Sequence, residues 1–270
     1  RWATLNQPPG WSPLLTTATV LLVDDMPSAA WLFLWVLVLV GITALRLGVV
    51  LAPKAHPLAM IVPAAMVLSH GLLMFEPASY NFPDSLYAAA ILAVALAIAE
   101  QRVAWIAYMG IAAGLLRWPG VVLSTIFIVA YWRVFRASQW AALRRLWLLV
   151  AVGAVLAVIG SLAGKLDDLL FILYFETFPE HWHGDYAPTS LMPRIPGFYA
   201  LWTAYTGGGL LLALFSCWAP ATESRRALRW VMGVAFIYSG MLATIDHHPT
   251  HYFLPLVALT GVAVMCASAA

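Results

Sequence analysis

The sequence predicts an all-α fold, a polytopic integral membrane bundle of about nine transmembrane helices, several of them short. Of 270 residues, 63% are apolar and only 10% are charged, whereas a soluble domain carries about 25% charged residues. Apolar runs such as 29–52 and 147–164 approach the roughly 20 residues that cross the hydrocarbon core of a bilayer. The Lys and Arg residues also fall between these runs in an alternating pattern. Lipid is therefore the expected solvent for most of the chain.

The helices are predicted from apolar runs that end at Pro, Gly or charged residues. The four runs between Pro57 and Phe135 are short and separated by minimal turns, which indicates helices partly buried among their neighbours. Apolar pieces at 11–23 and 169–178 are too short to cross and are expected at the interface. The expected spans are 29–52, 57–75, 84–100, 103–117, 120–136, 143–163, 197–218, 228–245 and 251–268.

One transmembrane domain, residues 1–270, is expected. It would consist of an outer segment 1–28, a helical module 29–163, an outer loop 164–196 and C-terminal helices 197–270. Cys217 and Cys266 lie in apolar runs, where they read as small core residues rather than a disulfide or a metal pair. The net charge of +2 is small and scattered over loops, which argues against nucleic acid as a partner.

Orientation follows from the basic residues, because cytoplasmic loops are enriched in Lys and Arg. If helix 29–52 runs from the outer side to the cytoplasm, only four of the 14 Lys and Arg residues lie on the outer side. These four are Arg1, Arg117, Lys165 and Arg194. The side predicted to be cytoplasmic holds the rest: Arg46, Lys54, Arg102, Arg133, Arg136, Arg144, Arg145, Arg225, Arg226 and Arg229.

Most acidic residues lie on the predicted outer side of the membrane, so a functional site is expected on the outer face. Asp84 follows Phe82-Pro83 at the start of an apolar run, where it could cap the helix. Alternatively, Asp84 and Glu76 line a pocket that binds a sugar hydroxyl, a metal or a catalytic partner. The long loop 165–196 is a candidate lid or binding loop.

Three basic residues on the outer side are candidates for binding an anion. Arg117 lies at an outer helix end, where it either snorkels to lipid headgroups or binds a phosphate through its planar fork. Lys165 and Arg194 flank the outer loop and either serve the same phosphate or remain solvated loop charges.

Histidines cluster on the outer side. His181, His183, Asp246 and His247 carry the imidazole and carboxylate groups that zinc or manganese binds. Neither spacing is a recognised metal motif, so interfacial hydrogen bonding is the alternative, and a divalent metal is the one cofactor left open. His70, inside a helix, reads as a bundle histidine with satisfied hydrogen bonds. The outer residues expected to contact an acceptor are Tyr80, His181, His183, Asp185, His251 and Tyr252.

Five short segments occur in a distinctive order along the chain: a proline-rich segment, two helix starts, a turn and the opening of a late helix. These are Asn6-Gln7-Pro8-Pro9-Gly10-Trp11, Asp25-Met26-Pro27-Ser28, Pro83-Asp84-Ser85-Leu86, Gly114-Leu115-Leu116-Arg117-Trp118-Pro119-Gly120 and His251-Tyr252-Phe253-Leu254-Pro255. Their order resembles that in the C-type glycosyltransferases, which are polytopic membrane enzymes. The resemblance covers most of residues 6–136 and thins thereafter.

The resemblance implies transfer of a sugar from a polyprenyl-phosphate donor to an acceptor at the outer face, with inversion. Asp84 and Glu76 would line the acceptor or metal pocket, and Arg117 would hold the donor phosphate. The main catalytic acid of the family would precede Arg1, on a first outer loop that this sequence lacks together with the first helix. The implied location is the bacterial inner membrane, with the functional face in the periplasm.

Two other function classes compete with this reading. A non-catalytic accessory subunit would use its 13 Trp and its small-residue helix faces to contact other membrane proteins and lipid. A transporter would carry ionisable residues within its helices and paired broken helices, which are scarce here.

Overall fold

Every regular element that the computed structural model describes is helical, which confirms the predicted all-α class. The described residues are 26–73, 82–116, 188–220, 222–243 and 250–269, with isolated positions 140, 141, 144 and 148. The helices are α1 (Met26–Leu51), α2 (Val62–Leu73), α3 (Phe82–Ala99), α4 (Val103–Leu116), α5 (Pro188–Tyr205), α6 (Gly209–Cys217), α7 (Glu223–Ala243) and α8 (Leu254–Ser268), with 3-10 turns at Pro57–Ile61 and Thr250–Phe253.

The last helix, α8, is the centre of the bundle. It packs against α1, α2, α3, α5, α6 and α7. Its residues are buried without interruption over 254–263, and Met265 and Cys266 are buried as well. A helix that is apolar on every side has no face for water, so it is stable only when surrounded by other helices or by lipid. Here the neighbouring helices surround it.

Close contacts at glycines define how the helices run relative to one another. Gly71, late in α2, lies against Leu37 of α1, and Gly41, further along α1, lies against Ala64, early in α2, so α1 and α2 are antiparallel. Gly48, near the end of α1, touches Met265, near the end of α8, so these two helices are parallel. Glycines let helix backbones approach closely, and such small residues are typical of helix interfaces in membrane proteins.

The predicted span 197–218 is wrong as a single helix. The structure has two helices there, α5 and α6, whose axes differ in direction by 102°. Gly207 and Gly208 form the break with positive φ angles of 56° and 81°. Glycine adopts this left-handed backbone without steric cost, which explains why the helix breaks here. In addition, α5 begins at Pro188, inside the predicted outer loop 164–196.

Other boundaries agree with the sequence prediction within a few residues. The predicted helix 57–75 corresponds to the 3-10 turn Pro57–Ile61 followed by α2. The predicted helix 251–268 corresponds to the end of the 3-10 turn Thr250–Phe253 followed by α8. The predicted helix 228–245 begins earlier, at Glu223. The predicted helices 120–136 and 143–163 lie outside the continuously described ranges.

The outward surface of several helices is apolar. On α1 the exposed side chains Trp35, Leu39 and Ile42 follow one another at helical spacing, while Leu37, Val40 and Ala44 on the opposite side are buried. Contiguous exposed apolar surface of this kind marks contact with lipid or with another protein. Within the described ranges, Leu34–Leu51 is long and apolar enough to cross a bilayer, and α5 and α6 meet that criterion together as a bent pair.

Candidate functional site at the aromatic end of the bundle

The bundle has two chemically different ends. Tyr199 contacts Ser239, late in α7, and the adjacent Phe198 contacts Phe253, just before α8. The end of α7 and the start of α8 therefore lie together. Because α1 runs parallel to α8, the end of α1 lies at the other end with the start of α7. We name these the aromatic end and the cationic end.

The cationic end holds the described ion pairs. Glu100 follows α3 and accepts from both Arg46 and Arg102, with shortest nitrogen–oxygen distances of 2.8 Å and 2.7 Å. Arg225 and Arg229, in α7, donate to the carbonyl oxygens of Pro220 and Cys217, at the end of α6. Cations at a helix C-terminus are favourable because the last carbonyl groups of a helix carry partial negative charge.

The aromatic end is built around a cluster of rings from four separate parts of the chain. Phe198 and Phe253 are stacked with ring centroids 4.9 Å apart, and Tyr205 lies 5.1 Å from both Phe253 and His70. Aromatic pairs at such distances stabilise packing beyond the area they bury. We name this the aromatic cluster: His70, Phe198, Tyr199, Trp202, Tyr205, Phe236 and Phe253.

Hydrogen bonds fix the side chains of two members of this cluster, Trp202 and Tyr199. The indole nitrogen of fully buried Trp202 donates to the Thr260 hydroxyl at 3.0 Å, and that hydroxyl donates to the Leu256 carbonyl at 2.7 Å. The Tyr199 and Ser239 hydroxyls lie 3.2 Å apart. These bonds join α5 to α7 and α8 in a buried setting, where an unmade hydrogen bond would be costly.

The first turn of α3 belongs to the same end. Tyr87 lies on α3 with its ring 6.4 Å from Tyr238 of α7, and both are buried. Ser85 is also fully buried, and its hydroxyl has no hydrogen-bond partner among the residues that the structure describes. The helix start carries partial positive charge and unpaired N–H groups, which favour a carboxylate or another anion nearby.

The structure revises the capping prediction for Asp84. Because α3 begins at Phe82, Asp84 is the third residue of the helix rather than the residue before it. Pro83 fits the first turn because the N–H group that proline lacks would have no partner there. Asp84 thus shares the aromatic end with Ser85 and Tyr87.

Few of the predicted site residues can be compared with the structure. Tyr252 is half-buried against the core in the 3-10 turn just before α8, which places it at the aromatic end. For Asp84, Arg194 and His251 the structure describes the helical backbone alone; Arg194 lies on α5 rather than in a loop, and His251 lies in the 3-10 turn before α8. The remaining predicted residues lie outside the described ranges: Glu76, Tyr80, Arg117, Lys165, His181, His183, Asp185, Asp246 and His247.

The aromatic side chains of α5 form part of the site but were not predicted from the sequence. Phe198, Trp202 and Tyr205 recur at spacings of four and three residues, which places them on one helix face. That periodicity was a usable signal for a buried aromatic face. The partners of these rings, from His70 to Phe253, are distant in sequence and give no local signal.

Comparison of the chain with family models, with characterised proteins and with solved structures finds no match. Among the described residues, no group of three His, Cys, Asp or Glu side chains could hold a metal ion. The four metal-ligand candidates of the sequence lie outside those residues.

Proposed function

We propose that this chain is a membrane glycosyltransferase that moves a sugar from a polyprenyl-phosphate donor to an acceptor at the outer face of the membrane. The proposal includes about nine transmembrane spans, a cytoplasmic cationic end, and an inner-membrane location in bacteria. It rests on one structural observation above all: α3, whose first turn contains Pro83 and Asp84, starts at the aromatic end, opposite the cationic end.

The aromatic end offers groups suited to a polar acceptor beside a lipid tail. Ligand sites generally combine aromatic walls with a few polar groups that orient the ligand. Tyr199, Tyr205 and Tyr252 are the half-buried tyrosines of this end, and each packs against the core. We propose that their hydroxyls orient an acceptor, that Asp84 and Glu76 line its pocket, and that loop 165–196 closes over it.

The residues that bind the sugar donor are proposed from their positive charge. A polyprenyl phosphate presents an anion at the membrane surface, and the guanidinium fork of arginine binds phosphate with two hydrogen bonds. Arg117 follows α4 directly in sequence, and we propose that it holds the donor phosphate, with Lys165 and Arg194 nearby. A divalent metal, if the reaction uses one, would take His181, His183, Asp246 or His247.

A second proposed function, a non-catalytic accessory subunit, is favoured by a different observation. Phe215 and Trp218 are 69% and 80% exposed at the end of α6, with ring centroids 6.2 Å apart. Large exposed aromatic side chains mark contact with lipid or with another protein, and this second proposal assigns these two rings to a protein partner. Such a subunit would retain the fold and bind a membrane partner without transferring sugar.

Sugar transfer by the full-length protein, measured in nanodiscs with radiolabelled polyprenyl-phosphate sugars and a lipid-extract acceptor, separates the two functions. We expect turnover by the wild-type protein. Arg117→Ala should lower kcat/KM by at least about tenfold, because hydrogen bonds to a charged group are lost. Arg117→Lys should recover only part of that loss, because lysine cannot form the bidentate contact.

The control is the matched substitution Arg226→Ala, which removes an exposed arginine from the cationic end and should leave turnover unchanged. Full activity of a folded Arg117→Ala protein would remove the phosphate role. Absence of transfer with every donor, together with co-purification of a defined membrane partner through α6, would favour the accessory subunit.

A further inference from the structure

Two arginines from different helices share a single carboxylate at the cationic end. Arg46, on α1, donates through Nε and Nη2 to Oε1 of Glu100, at 3.0 Å and 2.8 Å. Arg102 donates through Nε to Oε2 of the same residue at 2.7 Å. Gln101 between them has a φ of 58°, so the chain turns tightly and brings Arg102 back to the carboxylate that precedes it.

The charges in this group do not cancel. Two guanidinium groups and one carboxylate leave a net charge of +1. The Glu100 side chain is only 15% exposed, whereas those of Arg46 and Arg102 are 56% and 55% exposed. Each guanidinium carries five N–H donors, so both retain donors beyond those that bind Glu100. The carboxylate thus holds two cations whose outer faces are open.

Each arginine lies in line with a row of exposed apolar or aromatic side chains on one helix face, which we name an exposed stripe. On α1, Arg46 follows Leu39 and Ile42 at helical spacing, and all three are exposed. Beside α4, Arg102 is followed at intervals of three residues by exposed Trp105 and Tyr108. Tryptophan and tyrosine are enriched where the hydrocarbon meets the headgroups. The cation pair therefore lies at the border between an apolar surface and the polar end of the bundle.

We propose that Arg46 and Arg102, held on the two oxygens of Glu100, bind the headgroup phosphate of an anionic phospholipid in the cytoplasmic leaflet. The arginine donors that remain after binding Glu100 would receive the phosphate oxygens, and the acyl chains would lie along the exposed stripes of α1 and α4. The stripes favour a lipid over free phosphate, which has no apolar part. This lipid site depends on the membrane location of the helical bundle, but it does not depend on the proposed sugar transfer.

The test compares three proteins in nanodiscs that contain phosphatidylcholine with increasing phosphatidylglycerol. The triple variant Arg46→Gln/Glu100→Gln/Arg102→Gln removes the whole group without leaving the acid unpaired, and it lowers the net charge by one. Arg226→Gln is the matched control, because it removes one exposed positive charge from the same end. Phosphatidylglycerol that remains bound after extraction is counted by native mass spectrometry, and circular dichroism checks folding.

We expect the triple variant to bind phosphatidylglycerol at least about tenfold more weakly than the wild type, because the hydrogen bonds from two guanidinium groups to the charged phosphate are lost. Arg226→Gln should change it less than twofold. Equal losses in both variants would show diffuse charge attraction and overturn the site, as would unchanged binding in the folded triple variant.

A final experiment tests whether the site binds the phosphate of a lipid headgroup or free inorganic phosphate. Inorganic phosphate, at ionic strength matched with sodium chloride, should not displace phosphatidylglycerol from the wild-type protein. Displacement that the triple variant does not show would identify free phosphate as the ligand and overturn the assignment to lipid.

Discussion

Asp84→Asn is expected to lower sugar transfer by about 100-fold, the lower range for loss of a group that moves or orients a proton. The substitution removes a negative charge at the aromatic end and keeps the size of the side chain. Because Asp84 lies in the first turn of α3, its charge also interacts with the helix dipole, and this interaction is worth at most about 2 kcal/mol. Folding should therefore survive while activity is lost.

The measurement is initial-rate transfer in nanodiscs, with thermal unfolding of the same samples. Glu223→Gln is the control, because Glu223 also lies in the first turn of a helix, but at the cationic end. It should transfer sugar at the wild-type rate. A well-folded Asp84→Asn protein with full activity would limit Asp84 to stabilising the helix start.

Gly261→Ala is expected to have the largest effect on stability. Gly261 lies in the buried centre of α8, and an added methyl carbon would lie 2.7 Å from the Cα atom of Pro63 in α2. Backbone atoms cannot move aside as a flexible side chain can, so the two helices must separate. We expect the free energy of unfolding to fall by about 1–3 kcal/mol, as for overpacking in other cores.

The matched control is Gly233→Ala in α7, where an added methyl group would meet no atom within 4 Å. Alanine is the better helix former, so this variant should gain about 0.5–1 kcal/mol. Unfolding in a denaturing detergent titration measures both variants. If Gly261→Ala proves as stable as Gly233→Ala, α2 and α8 do not pack as described.

The first four helices could be predicted from sequence because strong local signals mark their ends. Proline at positions 57 and 83 and the charged segment Glu100-Gln101-Arg102 separate the apolar runs. The break between α5 and α6 carries no charge and lies inside an apolar run, so hydropathy alone does not reveal it. Three consecutive glycines, Gly207-Gly208-Gly209, were the local signal, because left-handed backbone there strongly favours glycine.

The position of α8 at the centre of the bundle could not be predicted. A helix that is apolar all round reads the same whether lipid or protein surrounds it. The partners of the α5 rings could not be predicted either, because His70, Phe236 and Phe253 are distant in sequence and meet only in the folded chain. By contrast, the sequence does predict that Arg46, Arg102 and Arg229 lie at one end of the bundle, because Lys and Arg are concentrated in alternate loops between the apolar runs.

Sidedness is the most direct test of the central claim, since the membrane setting and every functional assignment depend on it. Single cysteines at Arg226 and Trp182 would be introduced into Cys217→Ser protein; Cys266 is fully buried and can remain. A membrane-impermeant maleimide is applied to right-side-out and to inverted vesicles. We expect Trp182→Cys to react only in the former and Arg226→Cys only in the latter. The reverse pattern, or reaction of both from one side, would contradict a bilayer-spanning bundle whose aromatic end faces outward.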